Sequence, residues 1–161
     1  MKKLLTKNEF FIKYAYNSTM HKNAAFIVRT FNRLYPNPKP FLKYRSPFEL
    51  LVAVILSAQC TDERVNKVTP ALFKIANTPK KMLKLGKRKL ITYIHSCGFF
   101  NQKAKSILAA SKSILEDFDG ELPRTIDDFI KIHGVGRKTA SVVLSQAFKI
   151  PSFPVDTHVF R

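Results

Sequence analysis

Apolar residues recur at helical spacing along most of the chain, between residues that start or stop helices. Residues 24–35 show this spacing, and the prolines after them predict an extended linker. The clearest helix start is Ser46-Pro47-Phe48-Glu49, in which Ser caps, Pro fits the first turn and Glu49 closes a capping box. The helix that follows, to about Gln59, is apolar on nearly all sides, which predicts the buried centre of a bundle.

The remaining sequence continues this pattern. Thr61 or Asp62 caps the next helix, which Pro70 is expected to bend or split. Later helices are predicted at residues 79–86, 87–97, 101–118 and 125–132, with glycines after several of them as stop signals, and a last helix includes the apolar segment 140–148. Strand patterns are almost absent from the sequence. The pattern therefore predicts an all-α bundle of short helices joined by brief turns.

Two glycines that flank one valine separate the last two predicted helices. Gly134 can adopt the left-handed backbone that ends a helix, and Gly136 can bring bare backbone close to a partner. The next helix then begins with unpaired N–H groups beside Arg137 and Lys138, and such a helix end attracts anions. A simple turn with two solvated cations and a phosphate-binding hairpin both fit these residues.

The length fits a single domain or little more, and the charge favours a polyanionic partner. The 161 residues are 45% hydrophobic, and the net charge is +17 with a pI near 10.1. This charge suits DNA, RNA or an acidic membrane surface, although a lysine-rich genome would also raise it. The longest apolar run, residues 50–58, is far shorter than the ~20 residues of a membrane span. Two cysteines suit a reduced compartment, so a cytoplasmic location, nucleoid-associated in a bacterium, is expected.

Lys138 and Asp156 are the residues that could perform chemistry. An amine at a positive helix end, beside Arg137 and partly desolvated, is pushed toward its neutral form, which can attack a sugar C1′ or form a Schiff base. By position alone, a phosphate-binding or surface lysine is the simpler interpretation. Asp156 follows a proline-interrupted loop that could turn the chain back toward the hairpin. It is either a helix N-cap or, beside a lysine, a proton shuttle.

The run Gly134-Val135-Gly136-Arg137-Lys138-Thr139-Ala140, followed by Val155-Asp156-Thr157-His158, resembles the endonuclease III family of DNA glycosylase/AP lyases. The resemblance extends from about residue 20 to residue 161. It implies an endonuclease III-like six-helix barrel domain with a helix-hairpin-helix motif. The implied partner is double-stranded DNA with damaged pyrimidines or abasic sites, bound by a monomer. The implied function is base excision repair, in which oxidised pyrimidines are removed and the strand is cleaved 3′ to the abasic site by β-elimination through a lysine Schiff base.

The resemblance also implies roles for individual residues. Lys138 is the implied nucleophile and Asp156 the carboxylate that assists catalysis. Gln59 would fill the gap left by the flipped nucleotide, and Phe99 stands where the family has an apolar wedge. The implied DNA-binding residues of the hairpin are Gly134, Val135, Gly136, Arg137 and Thr139. Carbonyl groups beside the hairpin glycines can hold a monovalent cation.

The sequence departs from the family in two respects. His133 stands where the family usually has proline. Family members also continue past Val-Asp-Thr-His into further helices and a loop whose four cysteines hold a [4Fe–4S] cluster, and this sequence lacks those ligands. We therefore expect a truncated chain that contributes no cofactor and no metal-binding residues, with weak or absent activity.

The same comparison with the family implies four segments. Residues 1–19 are an N-terminal extension, and residues 20–39 are a helix of the second, normally iron–sulfur, domain plus a proline-rich linker. Residues 40–150 are the six-helix barrel domain, with the helix-hairpin-helix near 125–148, and residues 151–161 begin an incomplete C-terminal domain. Two other functions are open. One is a non-catalytic DNA-binding module, and the other is a monofunctional adenine-type glycosylase, against which Lys138 argues because such an enzyme needs no imine-forming lysine.

Overall fold

The computed structural model describes residues 22–36 and 40–155, and the contacts between residues divide the chain into two units after Lys39. In the first unit, helix α1 (Lys22–Leu34) carries exposed apolar side chains at Phe26, Ile27 and Phe31. Every regular element among the described residues is helical, which confirms the all-α class.

The described part of the second unit carries six α-helices. They are α2 (Pro47–Ser57), α3 (Asp62–Ile75), α4 (Pro79–Ile94), α5 (Phe100–Asp117), α6 (Ile126–Phe129) and α7 (Arg137–Ala147), with a short 3₁₀ helix (His95–Cys97) between α4 and α5. Helix α2 packs against α3, α5 and α7, and Leu50, Leu51 and Leu56 are completely buried. The predicted buried centre of the bundle is therefore confirmed.

Hydroxyl side chains start four of these helices. The Oγ atoms of Ser46, Thr61, Thr78 and Thr125 each accept a hydrogen bond from the backbone N–H three residues later. These bonds satisfy donors that the first helical turn leaves unpaired. The capping box predicted at Glu49 is wrong in one detail. Its carboxylate Oε2 accepts from the Arg45 N–H at 2.7 Å, one residue before the cap.

Three predictions about individual helices differ from the structure. Helix α3 continues through Pro70, because buried side chains on both sides of the exposed proline, Val65, Thr69 and Leu72, keep it packed. Gly86 breaks the regular backbone inside α4 with φ +75°, so the two helices predicted there are joined by a kink. The helix predicted at 125–132 is regular only over Ile126–Phe129.

Candidate nucleic-acid interface

The link between α6 and α7, residues 130–136, forms a tight hairpin. After one turn of α-helix the chain makes hydrogen bonds that span three residues, from Lys131 N to Asp128 O at 3.0 Å and from Ile132 N to Phe129 O at 3.2 Å. A third runs from Val135 N to Ile132 O at 3.1 Å. Such bonds tighten the helical turn, which is why α6 is shorter than its apolar pattern predicts.

The two hairpin glycines have different surroundings. Gly134 has φ +80°, and a Cβ atom there would lie 3.2 Å from the Ser106 Cβ and 3.4 Å from the Ser106 Cα of α5. Gly136 is the N-cap of α7, has φ −91°, and faces open space where a Cβ would stand. Because Gly134 has no side chain, the hairpin can pack closely against α5. At Gly136 the backbone is instead exposed to solvent.

The first turn of α7 is an exposed, positively charged helix end. Gly136 has no side chain that could cap it, and Arg137 and Lys138 are exposed while Thr139 is half-buried. The helix dipole and the two cations together favour an anion at this position. Val135 differs from its neighbours, because its side chain is buried and its N–H bonds to Ile132. Its side chain therefore packs in the core.

The exposure of Lys138 differs from one premise of the sequence analysis. That analysis expected a partly desolvated amine, and the structure leaves the side chain exposed.

The loop after α7 runs back along that helix. The Ile150 N–H donates to the Leu144 carbonyl at 3.0 Å, and the Ser152 hydroxyl donates to the Ser141 carbonyl at 2.7 Å. Ser141 lies about one turn from Lys138, so the chain is directed toward the start of α7, as the sequence predicted for this loop. Asp156 and His158 lie outside the described residues.

Gln59 and Phe99 share an unusual backbone. Both are non-glycine residues with positive φ, +50° and +44° respectively, and both are exposed. Phe99 is 69% exposed, so it is not a core residue. Left-handed backbone at such residues costs about 1–2 kcal/mol and tends to persist at functional sites. The two residues that the family resemblance assigns to the lesion gap are therefore held in strained, outward-facing loops.

Contacts that the sequence did not reveal join these loops. The Cys60 thiol, next to Gln59, is close enough to contribute to the raised pKa of Cys97, two residues before Phe99. The buried Lys103 of α5 donates from Nζ to the Cys97 carbonyl at 2.6 Å and so secures the 3₁₀ helix. Its position four residues before buried Ile107, on the same helix face, was the signal that could have identified it.

The hairpin lies near the same loops. Ser106, the contact of Gly134, is seven residues from Phe99, or about 10 Å along α5. The first two turns of α5 therefore lie between the Phe99 loop and the contact with the hairpin.

Metal-ligating side chains do not cluster in this region. Among residues 22–36 and 40–155, no group of three or more His, Cys, Asp or Glu side chains could hold a metal ion. The two cysteines of this sequence also do not fit a [4Fe–4S] cluster, which needs four cysteine ligands. Nor is any helix in the described ranges long and apolar enough to cross a membrane.

Comparisons with known proteins agree with this geometry. Residues 52–161 match the sequence pattern of the HhH-GPD superfamily of base excision DNA repair proteins. The chain is similar to endonuclease III of Haemophilus influenzae, with 51% identity over 126 residues that cover 78% of this chain and 60% of that protein. The chain spans about 60–64% of the length of the curated relatives that it matches.

Two solved structures have a similar fold. One is a non-covalent endonuclease III–DNA complex, with a TM-score of 0.80 and 40% identity, covering 88% of this chain and 66% of that one. The other is a trapped covalent endonuclease III–DNA intermediate, with a TM-score of 0.76 and 39% identity, covering 96% of this chain and 66% of that one.

Proposed function

This chain belongs to the HhH-GPD superfamily of base excision DNA repair proteins, and we propose that it is a DNA glycosylase with AP lyase activity. Its substrates would be oxidised pyrimidines and abasic sites in double-stranded DNA. The observation that carries the proposal is that the first two turns of α5 and the 3₁₀ helix before them connect three features. These are the glycine hairpin, with Lys138 in the exposed turn after it, and the strained loops of Gln59 and Phe99.

The first step is capture of the DNA backbone at the start of α7. A phosphate can approach the Gly136 backbone closely because no Cβ occupies that space. The helix dipole and the exposed Arg137 favour the phosphate charge. The net charge of +17 adds attraction that does not depend on sequence. These contacts would position the duplex without reading its bases.

The second step is extrusion of the damaged nucleotide. Flipping a base out of the stack costs a few kcal/mol, and side chains that fill the gap offset part of this cost. Phe99 offers an exposed apolar ring, and Gln59, on a separate loop, offers an exposed polar side chain. Both residues have positive φ and exposed side chains in the free protein, so the side chains are accessible to an approaching duplex.

The third step is attack by the Lys138 amine on the sugar C1′. The C1′–base bond breaks, the base leaves, and opening of the sugar ring gives an imine between Nζ and C1′. Loss of a C2′ proton then expels the 3′ phosphate by β-elimination, and water releases the lysine. The amine must be neutral for the attack. Asp156 is the proposed proton acceptor, and the course of residues 150–152 along α7 supports this assignment.

Reductive trapping tests the lyase chemistry. Borohydride added to the protein on an abasic duplex would reduce the imine and leave a covalent adduct. Lys138→Gln should abolish the adduct, and Lys138→Arg should abolish it while keeping the positive charge and the binding. Lys112→Gln is the matched control. It removes an exposed positive charge from a different helix, α5, and it should still form the adduct. An adduct that persists in Lys138→Arg would overturn the assignment of the nucleophile.

A non-catalytic DNA-binding module is the second candidate. The observation that favours it is the exposed Lys138 side chain, since the expected desolvation is not present. Binding to the duplex that weakens steeply with salt, with no adduct in the native sequence, would support the module and exclude the lyase.

A further inference from the structure

The two cysteines lie on the two loops that carry Gln59 and Phe99. Cys60 directly follows Gln59, and Cys97 ends the 3₁₀ helix just before Gly98 and Phe99. Helix α3, which begins two residues after Cys60, packs against this 3₁₀ helix, and the two thiols are near enough to interact. A covalent bond between them would therefore fix the separation of the two loops.

The two thiols differ in access. Cys97 is 2% exposed, whereas Cys60 is half-buried, so a small reagent in solvent would reach Cys60 first. Burial and the Cys60 thiol raise the pKa of Cys97 to about 11. The ammonium of Lys103 and the guanidinium of Arg64 lower it by smaller amounts. Lys103 also holds the Cys97 carbonyl at 2.6 Å, which secures the segment that carries the thiol.

We propose that Cys60 and Cys97 form a modification site, in which a small-molecule disulfide converts the thiol pair to an intramolecular disulfide. The Cys60 thiolate attacks one sulfur of the small disulfide, forms a mixed disulfide and releases one small thiol. The Cys97 thiolate then attacks the Cys60 sulfur, forms the protein disulfide and releases the second small thiol. The protein loses two hydrogen atoms with their electrons, and the small disulfide is reduced to two thiols.

The consequence for DNA rests on the proposed function. The bond would tie the Gln59 loop to the Phe99 loop, whereas insertion into a duplex requires each loop to adjust to its own side of the extruded nucleotide. The oxidised protein would therefore bind abasic duplex less tightly than the reduced one. Phosphate capture at the start of α7 would be unaffected, so binding to undamaged duplex would change little.

Mass spectrometry of the purified chain tests the bond itself. After treatment with oxidised glutathione, the intact mass should fall by two hydrogen atoms, and tryptic peptides 46–64 and 90–103 should be joined without reductant. Closure should be about tenfold faster per pH unit between pH 7 and 9, since the second step needs the Cys97 thiolate. Cys60→Ala, at the more exposed position, should prevent the link, and Cys97→Ala should stop the reaction at the mixed disulfide on Cys60.

Binding to abasic and undamaged duplexes then tests the consequence. The oxidised native chain should bind the abasic duplex at least about tenfold more weakly than the reduced chain, and Cys60→Ala should show no such difference. A mixed disulfide that never closes, or disulfide-linked dimers, would overturn the proposed site. Equal binding by the oxidised and reduced forms would overturn the consequence. A reduced chain that binds no DNA would instead overturn the proposed function, while the mass result would still decide the disulfide.

Discussion

Gly134 and Gly136 lie two positions apart, yet adding one methyl group should affect them differently. Gly134→Ala places a Cβ at φ +80°, within 3.4 Å of the Ser106 backbone, so both the turn and its contact with α5 are strained. We expect the free energy of unfolding to fall by about 1–3 kcal/mol. Urea denaturation followed by circular dichroism would measure this loss.

Gly136→Ala is the matched control for the hairpin. Its φ of −91° suits any residue and the added Cβ meets no atom within 4 Å, so stability should change by less than about 1 kcal/mol. The methyl group would instead occupy the space that a phosphate needs, and binding to DNA should weaken by about tenfold. Equal effects of the two substitutions on stability would contradict this division of roles.

Gln59 offers a test of whether backbone strain serves binding. Gln59→Gly should raise the free energy of unfolding by about 1 kcal/mol, because glycine adopts φ +50° without steric cost. The same change removes the side chain proposed to fill the lesion gap, so affinity for abasic duplex should fall. Asp119→Gly is the control. Asp119 also has positive φ, but it lies just after the C-terminal end of α5, whereas the Phe99 loop precedes the N-terminal end of that helix. It should leave DNA binding unchanged.

At the scale of the element, sequence reasoning predicted what depends on neighbouring residues. The predicted cap at Ser46 is present, and Thr61 rather than Asp62 caps the next helix, because a hydroxyl and an N–H three residues on need no distant partner. Pro70 was predicted less well, since the packing of α3 outweighs the local tendency to kink. Positive φ at Gln59 and Phe99 could not be predicted either, because neither residue type favours that backbone.

Thr125 is the element-scale position with the clearest expected effect. Its Oγ1 accepts from the Asp128 N–H at 3.2 Å and donates to the Asp128 carboxylate at 2.7 Å, and these bonds start the short α6. Thr125→Ala should lower the free energy of unfolding by about 1 kcal/mol. Lys131 and Thr125 hold the pKa of Asp128 below its usual value, so the substitution should also raise that pKa. Thermal melts and carboxylate titration by NMR would measure both effects, and Thr125→Ser should largely preserve them.

At the scale of the whole molecule, the arrangement of distant segments lies beyond what a local pattern can reveal. Net charge and helical periodicity indicated a basic helical bundle, and the glycine run indicated the hairpin. Nothing in the spacing of Cys60 and Cys97 indicated that these two residues would lie near each other. Cys60 and Cys97 are separated by 37 positions, and the packing of α3 against the 3₁₀ helix brings their segments together, whereas the Lys103 bond to the Cys97 carbonyl spans only six positions.

The stability of the whole bundle should fall in alkali because of Cys97. Burial, with a smaller effect from the Cys60 thiol, raises the pKa of Cys97 from its ordinary 9.0 to about 11, so the folded state keeps this proton to higher pH than the unfolded state does. The resulting stability is fully present below pH 9 and is lost as the pH rises toward 11. The loss should approach about 3 kcal/mol across that window.

Urea denaturation at a series of pH values, with reductant present, would measure this loss. Cys97→Ala removes the titrating group, so the slope of stability against pH should flatten even if the variant is less stable at neutral pH. Burial also raises the pKa of Tyr44, whose hydroxyl donates to the Gln146 carbonyl at 3.2 Å. Tyr44→Phe therefore separates the contribution of Tyr44 from that of Cys97. It should leave most of the slope of stability against pH between pH 9 and 11 in place. Parallel curves for the native chain and Cys97→Ala would show that another group controls alkaline unfolding.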